Sequence, residues 1–253
     1  MKKKVILVIG GHDPTSGAGI SADIETSAHF GCHALSLLTC STIQNTNKIV
    51  SVNKMPKNYI IHGFRELISE FKIDVIKIGL IPNIQASKEI LELLNNKKIK
   101  NTPVVIDPII ESGSGTILTN NNNLKFLIEN VYPKASLLTP NLLEFNTIEN
   151  FKKKDCADKI DNIIITNYQI KNNFITLKLI ENKKINEKNF KIEKYKKTFH
   201  GTGCTFATAI ACNIAHQNNI EKSIKLALRY IKKTILLSNI NGKKQSFLNR
   251  SFL

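Results

Sequence analysis

The chain has 253 residues, 42% of them apolar, with a formal net charge of +16. That length fits one α/β unit with a sizeable core, and no run of about 18 apolar residues marks a membrane span. The lysines are scattered rather than interleaved with aromatics, tryptophan is absent and arginine is sparse. The charge therefore reads as compositional drift toward Lys, Asn and Ile, not as a nucleic-acid or membrane surface, although it can still attract anionic metabolites. Five cysteines (Cys32, Cys40, Cys156, Cys204 and Cys212) are odd in number and form no CxxC pair. That disfavours a disulfide framework or structural zinc and fits a reducing cytoplasm.

The opening "MKKKVILVIGGHDP" has too short an apolar run for a signal peptide and reads as a buried strand entering a glycine-rich turn, "GGHDPTSGAG". A helix over 20–30 and a strand region "HALSLLTCSTIQ" follow. Helical spacing of Ile61, Phe64, Leu67, Ile68 and Phe71 marks the next helix. Then come a strand "DVIKIGL", an amphipathic helix "NIQASKEILELLNN", a buried strand "TPVVIDP", a helix "NNNLKFLIENVY", a strand "ASLLTP" and a short strand "NIIIT". "NFITLKLIE" and "KNFKIEKY" alternate like a hairpin, and two helices, "GCTFATAIACNIAH" and "IEKSIKLALRYIKKTILLS", close the chain. The last dozen residues read as a loose tail. The rhythm of strand and helix predicts an α/β fold, with a mainly parallel central sheet covered by helices on both faces. Four turns after strands, over 10–19, 79–82, 107–115 and 139–144, should gather at one rim, where such sheets bind ligands.

"HGTGCT", residues 200–205, is the motif with the most chemistry in it. Its glycines permit positive φ and close approach of a ligand. Thr202, Gly203 and Cys204 would present amide N–H groups at a helix start, an anion site. The helix dipole is expected to lower the Cys204 pKa. The plain alternative is a helix N-terminus over a buried small residue. Asp23 lies about a turn into the first helix, and Gln44 lies just beyond a strand, where its amide can meet a flat heterocycle. Either is equally an ordinary polar residue. Asn141 and Glu144, three apart after a strand, can hold a hydrated magnesium ion or simply form a capping box.

The order and spacing of "GGHDPTSGAGISADIETSAHFG", "TIQNT", "VIKIGL", "VVIDPII", "LLTPNLLE" and "HGTGCTFATAIA" resemble one family. It is the hydroxymethylpyrimidine/phosphomethylpyrimidine kinases of thiamine biosynthesis, within the ribokinase superfamily, and the resemblance covers about residues 4–239. Most of that superfamily has an aspartate base where Cys204 stands. The resemblance implies a ribokinase-like three-layer sandwich in one domain over 1–253, a cytoplasmic homodimer, and ATP-dependent phosphorylation of 4-amino-5-hydroxymethyl-2-methylpyrimidine and of its monophosphate. By resemblance, Cys204 is the base near the substrate hydroxyl, and Gly201, Thr202 and Gly203 form the anion hole. Gln44 and Asp23 hold the aminopyrimidine, while Gly11, Ile109 and Leu80, the last where the family usually has methionine, line its pocket. Asn141, Glu144 and Thr205 serve ATP, with Mg2+ held by Glu144 and Asn141 through water.

Departures from the family pattern accompany these matches. "NYQI" (167–170) replaces a usual "KGGH" that faces nucleotide phosphate. The stretch between Glu144 and Asn162 is short, so its helix is expected to be reduced or absent. A usual lysine near Gly113 is missing from "ESGSG", and His12 replaces a usual serine. Lys171 is a candidate to compensate. Pyridoxal kinase and a degenerate pyrimidine- or nucleotide-binding protein stand as alternatives. A thiol hydrolase with Cys204 as nucleophile would need a positioned histidine, and His200 is expected to point elsewhere.

Overall fold

The structure, a computed structural model, describes residues 2–113, 115–151, 160–182 and 186–252. Among the described residues, nine strands form one sheet in the order β3-β2-β1-β4-β5-β6-β7-β8-β9. The parallel part contains β1 (Lys4–His12), β2 (Cys32–Gln44), β4 (Val75–Ile78), β5 (Val104–Ile106), β6 (Leu137–Leu138) and β7 (Ile163–Lys171). At one edge β3 (Ile49–Lys54) pairs antiparallel with β2. At the other, β8 (Phe174–Glu181) and β9 (Asn186–Glu193) add antiparallel strands, as the alternating sequence predicts. β7 is longer than expected: it runs through "NYQI", with Asn167 at φ +53° and a register shift before Gln169.

Period-two alternation divides the sheet between two cores. Leu7, Ile9, Ile76, Ile78, Val104, Ile106, Ile163 and Ile165 face α2 (Tyr59–Glu70), α3 (Ile84–Leu94), α4 (Asn121–Phe126) and α5 (Leu142–Phe151). Ile6, Val8, Val75, Val105 and Ile164 take the other side, against α6 (Thr202–Ala215) and α7 (Ile220–Leu236), with α1 (Gly19–His29) packed beside α6. Because both faces are covered, the central strands are apolar throughout, with one exception at Lys77. Each fully buried Leu, Ile or Val contributes about 1.5–3 kcal/mol. Among the described residues, no helix is long and apolar enough to cross a membrane.

Two expectations are corrected here. The C-terminal segment is no loose tail: β11 (Ser246–Phe247) pairs with β10 (Phe199–His200), and Leu248 and Arg250 are buried. The helix after Glu144 is not absent, since α5 extends to Phe151; residues 152–159, including Cys156, lie outside the described residues. The remaining cysteines are unpaired and buried.

Candidate active site

The four turns meet, as predicted, at the carboxyl ends of the parallel strands. There they surround a cavity of about 370 Å³. Gly11 ends β1, Gln44 ends β2, Leu80 and Ile109 follow β4 and β5, and Asn141 and Glu144 follow β6; all line this space. Gly201, Thr202, Gly203 and Cys204 form its wall at the start of α6. A wider hollow of about 710 Å³ lies between 68–74 and 97–102, before β4 and β5 begin, and holds none of the motif residues.

The turn over 200–205 owes its shape to a loop contact. Gly201 sits at φ +74°, and a Cβ there would lie 1.9 Å from the Gly17 carbonyl oxygen. A Cβ on Gly17 would lie 2.1 Å from the His200 ring. The β1–α1 loop and the start of α6 thus touch through bare backbone. Asp13 fastens them: its carboxylate accepts from Ala18 N at 2.9 Å, from Thr15 N and Oγ1 at 2.9 and 2.8 Å, and from His200 Nε2 at 2.7 Å. Burial alone would raise the Asp13 carboxyl. The hydrogen bonds from His200 and Thr15 outweigh it and hold the group at about 2. His200 is therefore committed to Asp13, which removes the positioned histidine that a thiol hydrolase needs. Gly203 is exposed toward the cavity, and the first amides of α6 have no intrahelical partner.

Cys204 overturns one expectation. Burial pushes its thiol up to about 12; Lys77 lowers it, while Asp107 and Asp23 raise it. Desolvation in a site that is 6% exposed exceeds the helix dipole, so the sulfur is a neutral thiol at rest. The Gly19 amide donates to this sulfur.

Asp23 lies about a turn into α1, as the sequence placed it, and lines the cavity. Its carboxylate is wholly buried and accepts from Lys77 Nζ at 2.9 and 2.8 Å and from Thr208 Oγ1 at 2.7 Å. It touches the cavity floor with its acceptors already engaged. Lys77 is raised above the ordinary lysine value: burial opposes its charge, but the Asp23 carboxylate prevails. Asp107, fully enclosed nearby, is raised by burial, with Lys77 working against the shift. Lys77 and Asp107 escaped the sequence reading. The available signal was a single lysine inside the buried strand "VIKI", which requires a buried partner. Thr205 does not line the cavity. It is buried, donates to Gly201 O at 2.8 Å and accepts from Arg250 Nε at 2.8 Å.

The capping-box reading of Asn141 and Glu144 is realised. Asn141 Oδ1 accepts from Glu144 N, and Glu144 Oε2 accepts from Asn141 N, both at 2.9 Å. Glu144 is nonetheless raised to about 8, by burial first and by Asp107 second. Among the described residues lining the cavity, Lys77 is the only lysine or arginine. Lys171 stands exposed at the end of β7, outside the lining, and supplies no substitute cation.

Against known proteins, the family model described as phosphomethylpyrimidine kinase matches residues 13–248. A hydroxymethylpyrimidine/phosphomethylpyrimidine kinase of Aquifex aeolicus is 32% identical over 94% of this chain and 97% of its own. The bifunctional thiamine biosynthesis protein ThiDN of Methanocaldococcus jannaschii is also 32% identical, but this chain covers 55% of it. Like it, several curated relatives are about twice as long as the part matched. In structure, a phosphomethylpyrimidine kinase of Clostridium difficile 630 superposes with TM-score 0.76 at 26% identity, covering 92% of this chain and all of that one. An ADP complex of Bacillus subtilis pyridoxal kinase gives 0.85 at 21% identity, covering 99% and 98%, a likeness of fold.

Proposed function

The chain belongs to the phosphomethylpyrimidine kinase family, a phosphotransferase family of thiamine biosynthesis, and from that premise we propose how its residues move a phosphoryl group from ATP. The observation that carries the reading is the start of α6: exposed Gly203 beside buried Cys204, at the carboxyl ends of the strands. The Thr202, Gly203 and Cys204 amides face the equatorial oxygens of the transferring group, where preorganised donors stabilise charge. The flat pyrimidine lies between Gly11, Leu80 and Ile109, with the Gln44 amide at its edge. Its hydroxymethyl group points at Cys204.

Cys204 orients the hydroxyl, and it takes the hydroxyl proton late in the loose transition state only as the thiolate, its own proton having first left to solvent. Asp23 acts beneath the pocket, through Lys77, rather than on the ring. The Asn141–Glu144 pair fits a hydrated magnesium ion. Its donors are hard oxygens, and Glu144, Asp107 and Glu111 crowd negative charge together that a cation would relieve. Among the described residues no group of three or more His, Cys, Asp or Glu could grip a metal directly. Bound there, magnesium would neutralise charge on the nucleotide phosphates. Buried unpaired cysteines suit a cytoplasmic location, and exposed Ile43 and Val50 on the β2–β3 edge suit a homodimer.

The test is turnover. Purified protein, Mg-ATP and 4-amino-5-hydroxymethyl-2-methylpyrimidine phosphate are mixed, and the diphosphate is sought by mass spectrometry, with pyridoxal as competing alcohol. Diphosphate formation that slows strongly in Cys204→Ala is the expected result. Binding without turnover, or preference for pyridoxal, overturns it.

A further inference from the structure

Two chain segments meet at the anion turn, and a third holds them. Arg250 comes from the C-terminal segment and is 2% exposed. Its Nε donates to Thr205 Oγ1 at 2.8 Å, its Nη1 to Ser16 O and Glu25 Oε2 at 3.2 Å each, and its Nη2 to Gly17 O. Thr205 passes the contact on, since its hydroxyl donates to Gly201 O at 2.8 Å. One guanidinium therefore reaches the β1–α1 loop directly and the first residue of the anion turn through one hydroxyl. The main chain of Arg250 is itself pinned, its carbonyl accepting from Tyr230 Oη at 3.0 Å.

The loop contact explains why a cation is needed there. Gly17 turns its carbonyl toward the helix start, 1.9 Å from where a Gly201 Cβ would stand, and the Ser16 and Gly17 carbonyls both accept from Arg250. A buried carbonyl without a partner costs about 1–3 kcal/mol. Only arginine offers a rigid planar fork whose separate nitrogens can serve both carbonyls and a hydroxyl at once; lysine, whose donors all radiate from one nitrogen, cannot. Asp13 and His200 clasp the two loops by other contacts, but they do not reach Thr205.

We propose that Arg250 is a positioning residue for phosphoryl transfer: through Thr205 and the Ser16 and Gly17 carbonyls it sets where the Thr202–Cys204 amides stand. This rests on the anion-turn role proposed above. The pyrimidine-side residues Gly11, Gln44 and Leu80 come from β1, β2 and the turn after β4, so Arg250 bears on the reacting phosphoryl group and not on ring binding.

The experiment uses the full chain with Arg250→Lys, Arg250→Gln and Arg250→Ala. Displacement of a catalytic group by about 1 Å costs on the order of 100-fold in rate. The expected result is a kcat loss of that order in all three variants, with KM for the pyrimidine phosphate changed less than about threefold. Millimolar guanidinium should recover part of the rate in Arg250→Ala, whereas ammonium at equal ionic strength should not. Hydrogen exchange should rise in peptides spanning 14–20 and 199–206 and stay unchanged elsewhere. A folded variant with kcat within twofold of wild type overturns the proposal. So does a rate loss without guanidinium rescue and with exchange raised across the whole chain, which marks a purely structural arginine. If the wild-type protein transfers no phosphoryl group, the kinase reading fails separately, and the exchange pattern still decides whether Arg250 holds the turn.

Discussion

Replacing Gly201 by alanine tests whether loop contact shapes the turn at the start of α6. The added Cβ would sit 1.9 Å from Gly17 O, 2.8 Å from Gly17 C and 3.0 Å from Ala18 Cα, on a backbone at φ +74°. Contacts under 3 Å to main-chain atoms cannot be absorbed by a rotamer change, so the two loops must part by roughly 1 Å. The left-handed conformation alone costs an alanine about 1–2 kcal/mol; with the lost packing, the total should be about 2–4 kcal/mol. The same parting moves the amides of the anion turn, at about 100-fold in kcat. Gly203→Ala is the control: its Cβ would meet nothing nearer than the Asp107 carboxylate oxygens at 3.9 Å. That variant should keep its stability and lose rate only through the methyl group in the cavity. Urea unfolding and steady-state kinetics on both proteins check this. A Gly201→Ala protein with wild-type midpoint and kcat would refute the reasoning.

Lys77→Met should destabilise by about 3–5 kcal/mol, because it strands the Asp23 carboxylate in the core. Adding Asp23→Asn should recover much of the loss in urea melts, and failure to recover would show that the pair is not the cause. Cys204, with its thiol up at about 12, should react with iodoacetamide at a rate still rising with pH above 9, whereas a plateau below neutrality would mean that the helix dipole outweighs burial. Glu144, raised to about 8 from the ordinary carboxylate value of 4.5, binds its proton more tightly folded than unfolded. It therefore makes stability fall as pH rises from about 4.5 to about 8, at about 1.4 kcal/mol per unit at most. In chelator, Glu144→Gln should be more stable than wild type at pH 8 and lose that advantage below pH 5. Thermal melts across that range check it, and parallel curves would refute it.

The sequence by itself carried the alternation of strand and helix, the hairpin before "HGTGCT" and the convergence of the four turns, because period and punctuation are local properties. It also carried the family, since the spacing of short motifs along the chain survives drift toward lysine and asparagine. The tertiary structure decided the electrostatics. Whether Cys204 is a thiolate depends on how deeply α6 lies against Asp107 and Lys77, and a helix start read alone predicts the opposite sign. Nothing local to Asp23 reveals that a lysine 54 positions away crosses from β4 to meet it. Arg250 and Thr205 made the same point from far apart in the chain: one in a segment that reads as a loose tail, the other beside Cys204. Desolvation and the partners that offset it are set by what packs around a group, and the sequence states only its neighbours along the chain.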